Sequence, residues 1–295
     1  MPMLPAPDAQ GIYTFPTDLM TAHLNWQEET ATRKAKAPLL EVTAPHSGTH
    51  YVIEERRPAG RPVVVIEPHH DDFALSASGL FLARPRPLTV ITVFSRSLSV
   101  HPALEAAYPT VEAVSTLRER EGAETLRPFG AAQHLLGHKD ADPPYRAYDP
   151  LRLEKITEEL RALLAGHPDA ELLAPAAVTR HPDHLLVHEA ARRLGCRWFF
   201  EDLAFWSTYA LTGCDQHLFR VRTGTSLVPE LSDITDVLLD KVTLLHLHGS
   251  QMHPAAKMYR PIRHAWTVAE DRPGTPNRAG PAYAERFYRY RQETS

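Results

Sequence analysis

The chain has 295 residues, 43% hydrophobic and 23% charged, a balance that excludes disordered, collagen-like and membrane-embedded classes. A formal charge of -4, with no basic stripe interleaved with aromatics, argues against nucleic acid as a partner. Cys196 and Cys214 form neither a C-x-x-C pair nor a disulfide framework. A reducing, cytoplasmic setting is therefore expected, and no apolar run approaches the roughly 20 residues of a membrane span.

Residues 1–60 differ in texture from the rest and read as an N-terminal extension packed on the main domain. A helix is expected there over 18–34 and a short strand at 51–55. From residue 61 to 295 the pattern is α/β. The β-branched run 62–67 predicts a strand buried on both faces, followed by a helix over 73–83 and a second buried strand at 88–94. A helix over 111–128 is expected to end before Gly130, then a strand at 133–136, a helix over 151–165 and a strand at 171–175. His181 opens a helix running to about residue 194, with strand-like segments at 197–200 and 204–209. A Pro/Gly-rich loop over 272–281 leads to a last helix at 282–291. Alternating strands and helices predict a three-layer α/β/α sandwich with a mostly parallel sheet and right-handed crossovers.

In such a sheet the functional crevice lies beyond the carboxyl ends of the strands. A nucleotide-binding protein places glycines at the first βα turn. This chain places Pro68, His69, His70, Asp71 and Asp72 there, and it has no G-x-G-x-x-G, Walker or G-x-S-x-G motif. Adjacent carboxylates at the mouth of a buried strand repel, and a divalent cation resolves the conflict. A catalytic zinc takes three protein ligands and keeps one position open. His69 and Asp72 are candidates from the first turn. The third ligand must come from another strand end, where His181-Pro182-Asp183-His184 follows strand 171–175. A second arrangement, His181, His184 and His188, also has ligand spacing, but it leaves Asp71 and Asp72 unexplained.

Together these motifs resemble those of the PIG-L/LmbE-like N-acetylglucosaminyl de-N-acetylases. That family's A-H-P-D-D-E turn is matched by Pro68-His-His-Asp-Asp-Phe73, and its H-P-D-H by His181–His184 unchanged. Further parallels are Arg118-x-x-Glu121-x-x-x-Thr125 ending in Phe129-Gly130, an aspartate at Asp140, Phe200-Glu-Asp-Leu203, and Lys241 with His248-x-Ser250-Gln251. The likeness spans roughly residues 63–287. It implies a Rossmann-like fold, Zn2+ as cofactor, His69, Asp72 and His184 as ligands, Asp71 as general base, and His181 as the group assisting the transition state or leaving group; if protonated, His181 would stabilise the tetrahedral oxyanion. The substrate implied is a small-molecule N-acetylated sugar or sugar conjugate, cleaved to acetate and a free amine. The oligomeric state stays open.

The chain departs from the family pattern at Pro68, His70 and Phe73, where alanine, proline and glutamate are usual. His70 is expected to point away from the metal, toward substrate or acetate. A non-catalytic binding protein on the same fold is one alternative reading, and a structural zinc site closed by four protein ligands, with His70 as the fourth, is another.

Overall fold

The computed structural model describes residues 38–141, 149–178, 181–203, 227–252, 261–262, 264–265, 268 and 283–290. The expected helix over 18–34, the strand at 204–209 and the loop over 272–281 lie outside them. The main sheet contains β3 (Val63–Glu67), β4 (Leu88–Thr92), β5 (Ala132–Leu135), β6 (Glu171–Pro175), β7 (Trp198–Phe200), β8 (Leu227–Asp233) and β9 (Ala284–Tyr290). Its order is β5-β4-β3-β6-β7-β9-β8. The first five strands pair in parallel, and β9 runs antiparallel to both β7 and β8.

Strand periodicity divides the core between two faces. Val63 and Val65 pack with Phe73, Phe81, Leu173, Phe200 and Leu244. Val64 and Ile66 pack on the opposite face with Leu153, Ile156, Leu160, Val187 and Ala190. The first face is covered by α1 (Asp72–Ser76), α2 (Ser78–Ala83), α3 (Val111–Leu126) and α6 (Leu238–Leu247), and the second by α4 (Pro150–Leu164) and α5 (Pro182–Arg193). The result is the α/β/α sandwich expected from the alternation. No helix among the described residues is long and apolar enough to cross a membrane.

Helix ends follow local chemistry. The Thr110 hydroxyl accepts the Ala113 N–H and starts α3, which ends in a short 3-10 turn at Arg127–Phe129. Gly130 closes that turn at φ 56°, a conformation that favours glycine. The single helix expected over 73–83 is two. Ala77 breaks it, and the Glu285 carboxylate accepts the Gly79 and Leu80 N–H groups at 2.9 and 2.8 Å, satisfying the first turn of α2.

The helix expected over 282–291 is a strand, β9. Its sequence is rich in helix formers, but its charged residues find partners far along the chain: Glu285 with Lys241, Arg286 with Glu201, and Arg289 with Glu171 and Glu230. Tertiary pairing overrides local propensity here. Ahead of the sheet, β1 (Leu39–Ala44) and β2 (Thr49–Glu54) form an antiparallel hairpin. Val42, Ala44 and Ile53 are fully buried in the same core as Val63 and Phe81, and Glu124 on α3 accepts the Thr43 N–H.

Candidate metal centre and active site

In the sheet β3 and β6 are neighbours, although β4 and β5 intervene in the chain. The segments leaving their carboxyl ends lead to α1 on one face and α5 on the other, which opens a crevice between them. The turn after β3 carries His69–Asp72, and the start of α5 carries His181–His184.

The turn is tightened by the Asp72 carboxylate, whose Oδ2 accepts the His69 backbone N–H at 2.8 Å. The same oxygen lies 3.2 Å from His69 Nδ1, while Asp72 Oδ1 lies 3.5 Å from His184 Nε2. One donor atom from each of His69, Asp72 and His184 lies within 4.8 Å of the others, and all three residues are buried. The far nitrogen of each histidine meets a further carboxylate: His69 Nε2 is 3.2 Å from Asp183 Oδ2, and His184 Nδ1 is 2.8 Å from Asp202 Oδ2. These acids are anchored in turn, Asp183 by the Ala141 N–H at 2.8 Å and Asp202 by the Val178 N–H at 2.9 Å. A histidine fixed by a carboxylate on one nitrogen, with the other turned to a shared acid, is the usual arrangement of metal-binding imidazole.

The electrostatics point the same way. Burial opposes charge on Asp72, but His184 and His69 outweigh it and hold the carboxyl below its usual range. Burial likewise disfavours a charged His69, yet hydrogen bonds and charge from Asp183 and Asp72 raise it to about 10. The cluster is thus built to hold positive charge, as protons or as a cation. Two imidazoles and one carboxylate form a donor set suited to zinc.

Asp71 faces a different neighbour. Its Oδ1 accepts from Arg118 at 3.0 Å, and Arg118 also donates to Ser97 Oγ at 3.0 Å, which is hydrogen-bonded to Asp140. Arg118, Glu121 and Thr125 share one face of α3 by their spacing. Glu121 accepts the Ser250 N–H and hydroxyl at 2.8 and 2.5 Å, and Thr125 Oγ1 pairs with His248 Nε2 at 2.8 Å. The Arg118–Thr125 face of α3 and the distant His248–Ser250 stretch are therefore tied together by these hydrogen bonds.

His181 caps α5: its Nδ1 accepts the Asp183 N–H at 3.3 Å, which assigns the ring proton to Nε2. Burial, then the neighbouring His184 and His69, lower it to about 2. Burial beside two other histidines thus favours the neutral imidazole, and the condition that His181 be protonated is not met.

His70 belongs to neither candidate metal group. Its ring is buried against Gly122 of α3, with Nδ1 3.4 Å from Gln133 Nε2, so it turns into the protein and not toward the crevice. Burial, then Arg118, lowers it to about 3. His188 Nδ1 bonds the Pro175 carbonyl at 2.9 Å and its ring packs on Phe199, so the His181–His184–His188 arrangement is not assembled. Phe73, standing where glutamate is usual, packs on Phe81 and Phe129. Beneath the turn, the buried Glu67 carboxylate accepts the Phe73 N–H at 2.9 Å and the Thr92 hydroxyl at 2.7 Å, and burial pushes it up to about 8.

Sequence reasoning gave no role to Asp183, Asp202 or Glu67. Asp183 and Asp202 lie inside the motifs quoted for other residues. The general need of metal-binding histidines for a carboxylate partner was the available signal.

The family model described as "PIG-L: GlcNAc-PI de-N-acetylase" matches residues 64–194. The 2'-N-acetylparomamine deacetylase of Streptomyces fradiae is 35% identical over 247 residues, covering 77% of this chain and 83% of that protein. Among solved structures, a deacetylase of the teicoplanin biosynthesis pathway superposes with a TM-score of 0.58 at 16% identity, covering 79% of this chain and 99% of that one. The N,N'-diacetylchitobiose deacetylase of Pyrococcus horikoshii gives a TM-score of 0.54 at 18% identity, covering 78% and 84%. These two likenesses concern the fold.

Proposed function

The chain belongs to the PIG-L family of de-N-acetylases and is a metal-dependent N-deacetylase, and on that premise we propose that it frees the amine of an N-acetylated amino sugar in a sugar conjugate, with zinc held by His69, Asp72 and His184. The observation that carries the ligand assignment is the pairing of both histidines with Asp72 on one side and with a buried carboxylate on the other. The substrate class rests on the Streptomyces fradiae relative, named for 2'-N-acetylparomamine.

A divalent cation bound there supplies Lewis acidity, polarising the acetyl carbonyl and lowering the pKa of water toward roughly 7. The chain's own residues do the rest. Asp71, aimed by Arg118, takes a proton from the attacking water as its oxygen adds to the acetyl carbon. The same carboxyl returns that proton to nitrogen as the C–N bond breaks, giving acetate and a free amine. His181 donates its Nε2 proton as a hydrogen bond to the developing oxyanion while staying neutral, a contribution of about 3 kcal/mol in comparable sites. His70, turned into the protein, is outside the ligand set, and the site keeps an open position for substrate.

The test is acetate release from a panel of N-acetylated amino sugars that includes 2'-N-acetylparomamine. Turnover of a pseudodisaccharide substrate with one acetate per amine supports the proposal. Hydrolysis confined to acetyl esters, or none on any N-acetyl sugar with metal loaded, refutes it.

A further inference from the structure

Asp71 stands directly before α1. From that position an aspartate normally adopts an extended backbone, and its side chain accepts the second or third N–H of its own helix. Asp71 does neither: its backbone lies at φ -99°, ψ -11°, it makes no capping hydrogen bond, and its Oδ1 accepts from Arg118 at 3.0 Å. The capping role falls to Glu67, the last residue of β3. Glu67 Oε2 accepts the Phe73 N–H, the second of α1, at 2.9 Å, and Oε1 accepts the Thr92 hydroxyl at 2.7 Å. Thr92 stands opposite Glu67 in the β3–β4 ladder, and the Val93 N–H bonds the Glu67 carbonyl at 3.0 Å, so this carboxylate is anchored on interior strands. Glu67 is buried and belongs to neither candidate metal group.

We propose, on the reading that Asp71 is the base of the deacetylation, that Glu67 is the positioning residue that keeps it available. By taking the Phe73 N–H, Glu67 relieves Asp71 of capping its own helix. A buried N–H that loses its acceptor carries the full desolvation cost of that group and draws in a replacement. For Phe73 that replacement is Asp71, two residues earlier at the capping position. An Asp71 turned onto α1 leaves Arg118 and the crevice together, and no longer reaches the attacking water. Glu67 thus acts through its acceptor oxygen and not through its charge. The metal ligands are held by other bonds: Asp72 accepts the His69 N–H, and Asp183 and Asp202 stand behind the two histidines. Loss of Glu67 therefore impairs proton transfer and leaves metal binding in place.

Three substitutions in the full chain test this. Glu67→Met keeps the volume and removes the acceptor. Glu67→Asp keeps the charge but draws it back by one methylene, about 1.5 Å, from the Phe73 N–H. Glu67→Gln keeps an acceptor oxygen for Phe73, and its NH2 group donates to the Thr92 hydroxyl oxygen. For each, kcat and KM of acetate release are measured beside zinc affinity by chelator competition, and crystal structures of the metal-free proteins locate Asp71. The Met and Asp variants should lose roughly 100-fold in kcat, the worth of a positioned base, with KM and zinc affinity within about 3-fold of the wild type. Their Asp71 carboxylate should accept from the Phe73 or Ala74 N–H and no longer from Arg118. The Gln variant should keep wild-type turnover and wild-type Asp71 geometry. If Glu67→Met does not fold, Glu67→Asp makes the same comparison. The proposal is overturned if the Met and Asp variants keep their turnover or their Asp71–Arg118 pair, if zinc affinity falls along with turnover, or if Glu67→Gln loses as much as Glu67→Met. Should the wild type itself release no acetate, the functional reading fails, and the position of Asp71 in the metal-free structures still decides whether Glu67 keeps it off the helix.

Discussion

Replacing Asp202 with asparagine isolates the carboxylate that orients His184. Asp202 is fully buried; Oδ2 lies 2.8 Å from His184 Nδ1, and Oδ1 accepts the Val178 N–H at 2.9 Å. With its oxygen kept toward Val178, the introduced amide turns its NH2 group to His184 Nδ1. A donor there requires the lone pair on Nδ1 and drives the proton to Nε2, the nitrogen that faces Asp72. That tautomer opposes metal. The expected loss is 10- to 100-fold in metal affinity, about 1.4–2.7 kcal/mol, with the fold preserved because the Val178 N–H keeps its acceptor. Asp202→Ala should lose as much affinity and, in addition, about 1–3 kcal/mol of stability from the abandoned Val178 N–H. Competition with a chelator of known affinity gives the first quantity and thermal unfolding of the metal-free proteins gives the second. Wild-type zinc affinity in Asp202→Asn would refute the reasoning that His184 binds through Nε2 with Asp202 behind it.

Asp71→Asn should keep its zinc and lose at least roughly 100-fold in turnover, measured as acetate release, since a positioned base is worth about that much. His70→Ala should retain one tightly bound metal by elemental analysis, because the ring is turned toward Gly122 and Gln133; loss of that metal would make His70 a ligand. Val42→Asp should unfold the protein or lower its midpoint sharply, because Val42 is fully buried in the core shared with β3. An unchanged midpoint would mean that the hairpin does not pack as a part of the domain. Chelation should lower thermal stability, since metal at about 1,000 times its Kd contributes roughly 4 kcal/mol to the folded state.

The sheet was legible where burial is two-sided: the runs Val63–Ile66 and Leu88–Thr92 are apolar or β-branched throughout, the pattern of a strand covered on both faces. The cluster at the crevice was legible because a His-x-x-Asp turn and a His-x-x-His helix start sit at strand ends, and strand order brings those ends together. β9 was not legible, since Glu285, Arg286 and Arg289 read as a solvated helix until their partners Lys241, Glu201 and Glu171 are brought beside them. β8 escaped for a related reason: Leu227–Asp233 contains a proline and acids, and it is ordered by pairing with β9 at the sheet edge. The orientation of His70 was only half legible. Its neighbour Gly122 leaves the space the ring occupies, and that vacancy appears only when α3 packs over the turn.

The central claim is that one metal, held by His69, Asp72 and His184, is required for N-deacetylation. The most direct measurement titrates zinc into metal-free protein while metal content and acetate release are followed on the same sample. Activity should rise linearly and reach its maximum at one equivalent per chain, and Asp72→Ala should bind that equivalent far more weakly. Full activity in the metal-free protein, or an activity maximum that tracks no bound metal, would contradict the account.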